Sequence, residues 1–164
     1  MTVGPAFDGA LFKQVAIVVD DLDQAVRQWS DILSVGPWTA YRYDETILRD
    51  MLYRGAPCTF SIRHALAWHG DVQFELVQPL NGPSIFRDYY EAGMGAIHHL
   101  GKYVDDHDAA VTEVLNRGFE PLQSARGFGA DGDGAFAYFR PPGIDVIIEL
   151  ISAPATRRTP EFTY

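Results

Sequence analysis

The sequence predicts an α+β protein: two βαβββ modules forming one curved, mostly antiparallel sheet, with helices on the convex face and a trough on the other. Three observations carry that prediction. KQVAIVVDDLDQAV, Lys13 to Val26, recurs as part of AIHHLGKYVDDHDAAV, Ala96 to Val111. Adding 85 to a position in the first copy gives its partner in the second, and six of the eight residues from Val19 to Val26 are identical in Val104 to Val111. The two halves also close alike, on FELVQP (Phe74 to Pro79) and IELISAP (Ile148 to Pro154). Solenoid repeats run at roughly 20 to 50 residues, so a repeat of this length reads instead as a duplicated half-domain.

The elements follow in order. Residues 1–10 hold Gly and Pro and read as an N-terminal arm. The first module spans 11–79. Leu11 to Val19 is β-branched and alternates, Gln14, Ala16 and Val18 on one face against Val15, Ile17 and Val19 on the other. Asp20 or Asp21 can cap the helix that follows, whose apolar stripe is Ala25, Val26, Trp29, Ile32 and Leu33. Trp38 to Asp44 reads as a strand, while Glu45 to Gly55 fits a short helix, a strand or a loop equally well. Thr59 to Ala67 and Val72 to Gln78 form a hairpin around Trp68, His69, Gly70 and Asp71.

Residues 80–95 are a linker carrying a helix that Ser84 caps and that ends near Gly93. The second module, 96–152, restarts with a strand from Ala96 to Val104 and a helix from His107 to Asn116. Strands at Glu120 to Gly127, Gly134 to Arg140 and Ile144 to Ile151 complete it. The Gly-rich Phe128 to Gly134 lies between strands, so it reads as a turn and not a phosphate loop. Residues 153–164, with Arg157 and Arg158, form a tail that can lie over a neighbouring surface, and the whole of 1–164 reads as one domain.

Composition narrows the function. Apolar residues at 47% and charged ones at 21% are those of an ordinary globular protein. A net charge of −9 argues against nucleic acid and anionic membranes as partners. The same field repels an anionic substrate unless Lys or Arg is concentrated at the mouth of its site. One cysteine, Cys58, allows neither an internal disulfide nor a thiolate cluster for zinc. No apolar run reaches the ~20 residues of a membrane span, and the first residues lack the pattern of a signal peptide, which points to the cytoplasm.

Matching halves predict matching chemistry. Gln14 corresponds to His99 in the two first strands, and Glu75 to Glu149 in the two last. Alternation turns all four toward the trough and brings them to the pseudo-twofold axis. Two carboxylates, an imidazole and an amide oxygen suit a divalent cation of intermediate hardness, Mn, Fe(II), Co, Ni or Zn. A lone strand glutamate is usually solvated or salt-bridged; it is the equivalence across the repeat that gives these two weight. His98 adjoins His99, and alternation assigns it to the opposite face. His64 lies on a strand facing the trough. Trp38, Tyr41, Phe60, His64, Tyr103 and Tyr138 are candidate substrate-binding residues, lining a pocket for a largely apolar ligand.

VDDLDQAV, FELVQP, HHLGKYVDD and IELISAP, in a paired βαβββ frame, resemble the vicinal oxygen chelate superfamily. That superfamily includes glyoxalase I, methylmalonyl-CoA epimerase, extradiol dioxygenases and bleomycin-resistance proteins. The resemblance covers about Phe12 to Pro154, and the epimerase-like and glyoxalase-like members match best in pattern. It implies metal ligands at Gln14, Glu75, His99 and Glu149, with Glu149 as both ligand and base and Glu75 the second candidate base. It also implies a homodimer. One departure stands out: the first-strand position usually holds His, and here it is Gln14. Losing that histidine counts against dioxygenase chemistry, which holds Fe(II) with two histidines and a carboxylate.

The expected activity is therefore a metal-dependent isomerase, epimerase or lyase acting on a carbonyl compound through an enolate-type intermediate. Two alternatives need no cofactor: a protein that sequesters an aromatic or polycyclic ligand, and a metal-free cyclase or isomerase.

Overall fold

The structure is a computed structural model and describes residues 6–7, 11–91 and 97–164. Most of the N-terminal arm, the helix end expected near Gly93 and the strand start expected at Ala96 lie outside the described residues. The first half runs β1 (Phe12–Val18), α1 (Leu22–Leu33), β2 (Thr39–Tyr43), β3 (Arg49–Tyr53), β4 (Ala56–Pro57), β5 (Ser61–His69) and β6 (Val72–Asn81). After α2 (Ile85–Glu91), the second half runs β7 (Ile97–Tyr103), α3 (His107–Asn116), β8 (Glu120–Arg126), β9 (Ala135–Arg140), β10 (Ile147–Ser152) and β11 (Phe162–Thr163).

The fold is α+β, and its eleven described strands form one open sheet, ordered β11-β2-β5-β6-β1-β7-β10-β9-β8-β3-β4. The β1–β6 and β7–β10 pairs are parallel and the other neighbours are antiparallel. The halves meet where β1 pairs β7.

The repeated VDD motif acts at the same place in both halves. Asp21 accepts a hydrogen bond from the Gln24 amide (2.9 Å) and Asp106 from the Ala109 amide (3.0 Å), each satisfying an orphan donor of a first helical turn. The α1 stripe is shorter than its spacing predicts. Leu22, Ala25 and Val26 are buried and Trp29 packs beside them, but Ile32 and Leu33 are 76% and 54% exposed.

Glu45 to Gly55, open to three readings from sequence, contributes the β3–β4 hairpin, and β3 pairs with β8 of the other half. In exchange, β11 of the second half pairs with β2 of the first. Each module's outer strand is thus covered by chain from the other, so the open sheet ends on the two-residue strands β11 and β4 and exposes only short edges.

Candidate metal centre

The register of the four central strands determines where the donors fall. In β1–β7 the pairs are Ala16 with His99 and Gln14 with Gly101; adding 85 to each β1 member turns one pair into the other. The parallel neighbours continue the symmetry, Ala16 beside Glu75 and Gly101 beside Glu149. Two small residues therefore occupy the middle of the sheet, leaving room above them for four long polar side chains. Gly101 leaves the room that Gln14 fills: a Cβ there would collide with Gln14 Oε1 and come within 2.8 Å of Gln14 Cβ, so Gln14 would have to move.

His99 Nε2 stands at the middle of the group. It lies 3.0 Å from Glu149 Oε2, 3.3 Å from Glu75 Oε2 and 3.3 Å from Gln14 Oε1. Glu75, His99 and Glu149 each place a ligand atom within 4.8 Å of the others. All four residues are buried.

Each donor has its own support. Gln14 Nε2 donates to Gln73 Oε1 (3.0 Å), which also accepts from the Tyr103 hydroxyl (2.7 Å), so the Gln14 carbonyl is turned toward His99. Glu75 Oε1 is 2.6 Å from His64 Nδ1. Tyr138, the cross-strand partner of Glu149, sits beside that carboxylate.

His99 is oriented by its sequence neighbour, contrary to simple alternation. While β1 advances from Ala16 to Ile17, β7 goes from His99 to Ile97, so His98 is the extra residue of a β-bulge. The bulge brings His98 Nδ1 to 2.8 Å from His99 Nδ1. His98 Nε2 faces the Ile85 carbonyl at 3.2 Å and must donate to it. Burial, with the His99 charge beside it, pulls the His98 pKa down to about 3, so its ring is neutral and Nδ1 must accept. His99 Nδ1 then donates, and Nε2 is the atom free to carry either a proton or a metal.

The charges explain what each carboxylate can do. Burial pushes the Glu75 pKa up, but the His64 hydrogen bond and the His99 imidazole beside it overcome that and hold it at about 2. Glu149 goes the other way: burial raises it, and the attraction of His99 only partly compensates. For His99 burial disfavours the cation, yet Glu149 and then Glu75 outweigh it and raise the pKa to about 9.

A divalent ion fits these residues on three counts. Glu75 Oε2 is buried without a well-formed hydrogen bond, as a reserved ligand atom would be. Ligands about 2.1 Å from a metal and at right angles to one another stand about 3.0 Å apart, close to the 3.0 and 3.3 Å spacings around His99 Nε2. Finally, His99, Glu75 and Gln14 carry the outer hydrogen bonds that usually orient metal ligands.

The family model of the Glyoxalase/Bleomycin resistance protein/Dioxygenase superfamily matches residues 13–139. The chain belongs to that superfamily. This is the vicinal oxygen chelate group that the sequence motifs resemble. Solved structures agree at the level of fold. A methylmalonyl-CoA epimerase from Mycobacterium tuberculosis is 23% identical with a TM-score of 0.62, covering 94% of this chain and 93% of that one. A Streptomyces coelicolor methylmalonyl-CoA epimerase variant in complex with 2-nitronate-propionyl-CoA is 17% identical with a TM-score of 0.66, covering 90% and 97%. A hypothetical protein from Bacillus halodurans C-125 is 17% identical with a TM-score of 0.64, covering 93% and 100%. No curated protein matches the sequence.

In this vicinal oxygen chelate chain Gln14, Glu75 and Glu149 open onto a small cavity of about 30 Å³, walled by Ile62, Leu66, Phe128, Phe136 and Ile151, with His99 behind them. Tyr43, His64 and Tyr138 also line it. A larger groove of about 410 Å³ adjoins it, holds Tyr41, and shares Leu66, Tyr103 and Arg157 with the cavity.

Two expected substrate-binding residues lie elsewhere. Trp38 is fully buried between α1 and the sheet, its indole nitrogen donating to the Val35 carbonyl (2.8 Å), because it precedes β2 on the convex side. Phe60 is buried in the core beneath the trough and lines neither the cavity nor the groove. Sequence reasoning in turn missed Gln73, His98, Phe128 and Arg157. Only His98, next to His99, gave any signal.

Proposed function

We propose that this chain is a metal-dependent isomerase or epimerase that moves a proton on the carbon beside a carbonyl. Gln14, Glu75, His99 and Glu149 would hold the metal. When bound, a divalent ion supplies Lewis-acid stabilisation of negative charge developing on the substrate's oxygens. The observation that carries the reading is the convergence of Gln14 Oε1, Glu75 Oε2 and Glu149 Oε2 on His99 Nε2.

The residues divide the remaining tasks. Glu149 is the base: burial keeps its pKa above that of a free carboxylate, closer to the working pH, where proton transfer is most efficient. Glu75, clamped by His64 and held near 2, serves as a permanent anion and ligand. Gln14 holds its carbonyl toward the centre through Gln73. The cavity admits about one water's worth of volume, so its apolar walls exclude bulk solvent from the proton transfer, and the rest of the substrate occupies the adjoining groove. A lyase that departs from the same enolate uses the same residues. That several similar structures are methylmalonyl-CoA epimerases supports the isomerase side of the choice.

One observation favours a second reading. A doubly protonated His99 balances the charge of the carboxylates beside it with no ion present, which suits a metal-free cyclase or a sequestering protein. Metal analysis of protein purified without added metal separates the two. Stoichiometric divalent metal that is lost in His99→Ala supports the first reading; a folded protein that takes up no metal at any concentration rejects it. Glu149→Gln should abolish turnover with the fold intact, and unchanged turnover would remove Glu149 from the role of base.

A further inference from the structure

Arg157 is a cation near this centre to which no task has been assigned. It lines both the inner cavity and the outer groove, its guanidinium carbon lies 5.9 Å from the Tyr41 ring centroid, and among the described residues it pairs with no carboxylate. Its position is built from both sides. On one side it bridges Gly129, and the neighbouring Ala130 amide donates to the Thr156 carbonyl (2.8 Å). On the other, the tail is tied down by β11 on β2, by the Glu161 amide to the Ala40 carbonyl (2.7 Å), and by Glu161 paired with Arg63 (3.0 Å). A side chain held between two backbone anchors at the junction of two hollows is placed there by the fold.

The charge of the molecule makes this cation selective. At −9 overall, the field of the molecule repels an approaching anion unless a positive group waits at the mouth of the site. We propose that Arg157 is that group: the substrate carries a carboxylate that pairs with the Arg157 guanidinium, while its carbonyl end reaches the Gln14, Glu75, His99 and Glu149 centre. The assignment rests on that centre being the reacting end. The planar fork of arginine matches a carboxylate in two parallel hydrogen bonds, and the half-buried setting strengthens them. An oxo acid is thereby favoured over its neutral ester.

The test is calorimetric titration of 4-oxopentanoate and 5-oxohexanoate against their methyl esters, with metal-free and Mn(II)-loaded protein. At least one acid should bind about tenfold more tightly than its ester, the gain expected of one charge-assisted pair. In Arg157→Gln the two should come within about twofold, and Arg157→Lys should fall between, keeping the charge but losing the fork. Melting curves of both variants report folding. Equal binding of acid and ester by the parent protein, the same preference in Arg157→Gln, or no binding of either acid at millimolar concentration would overturn the proposal. A preference that depends on Arg157 in a protein that takes no metal would keep the anion anchor and discard the metal reading. Metal uptake without any preference would do the reverse.

Discussion

The two halves place their donors at matching register positions and then support them differently. In the first, Gln14 and Glu75 are tied from outside by Gln73 and His64, and Glu75 is held as a permanent anion. In the second, His99 is set by His98, and Glu149 faces the phenol of Tyr138 with burial raising its pKa. Duplication supplied the geometry twice, and under the proposed function the outer contacts would make the first half the anchoring one and the second the reacting one. Glu75 faces two histidines, His64 and His99, and is held ionised, whereas Glu149 faces only His99 and its pKa stays raised by burial.

That contrast can be broken by substitution, beginning with the ligands. His99→Ala should lower metal affinity by more than about 100-fold, beyond the 10- to 100-fold typical of supporting residues, whereas Gln14→Ala should cost about tenfold because an amide oxygen is the weaker ligand. Metal content after dialysis checks this, and equal losses would erase the distinction between the halves. Gln14→His restores the symmetry and should tighten binding. Next, His98→Phe removes the acceptor that orients His99 Nδ1 and should cost about 10- to 100-fold in metal affinity by titration, with the fold retained. Gly101→Ala should act more gently. The added methyl displaces Gln14 and leaves the other three donors in place, so the affinity loss should match that of Gln14→Ala within about threefold. A larger loss would mean that the sheet itself had shifted.

The donors were legible because they repeat: one offset pairs Gln14 with His99, and two matching strand ends pair Glu75 with Glu149. The helices were legible through their caps. What supports the donors was not. Alternation assigns His98 to the wrong side because a bulge adds a residue to β7, and a bulge leaves no mark in composition. Trp38 was misplaced because an aromatic beside a strand start fits either face, and only packing against α1 decides it. The exchange of β3–β4 and β11 between the module edges, which brings Arg157 to the groove, depends on contacts far apart in sequence. Patterns with a period of two or 3.6 carry no information about such contacts.

The charge balance at the centre supplies the smallest and most specific effect. Without metal, Glu75 is depressed from its ordinary 4.5 to about 2, so its contribution to stability is full above about 4.5 and is lost as pH falls toward 2. His99 is raised from 6.5 to about 9, so its contribution is full below about 6.5 and is lost as pH rises through 9. His98, lowered from 6.5 to about 3, adds a loss of stability as pH falls below 6.5, and Glu149, raised by burial, adds one as pH rises above 4.5, so the clear limb is the alkaline one: the Tm of the metal-free protein should fall from pH 6.5 to 9 by roughly 2–4 °C per kcal/mol lost. A bound metal reverses the trend on the alkaline side, because it needs Nε2 unprotonated and binds more tightly as pH rises. The Tm difference between metal-loaded and metal-free protein should thus widen from pH 6.5 to 9. A constant difference would mean that His99 Nε2 carries no proton in the metal-free state, and the second half would then hold no positive charge to balance the Glu75 carboxylate of the first.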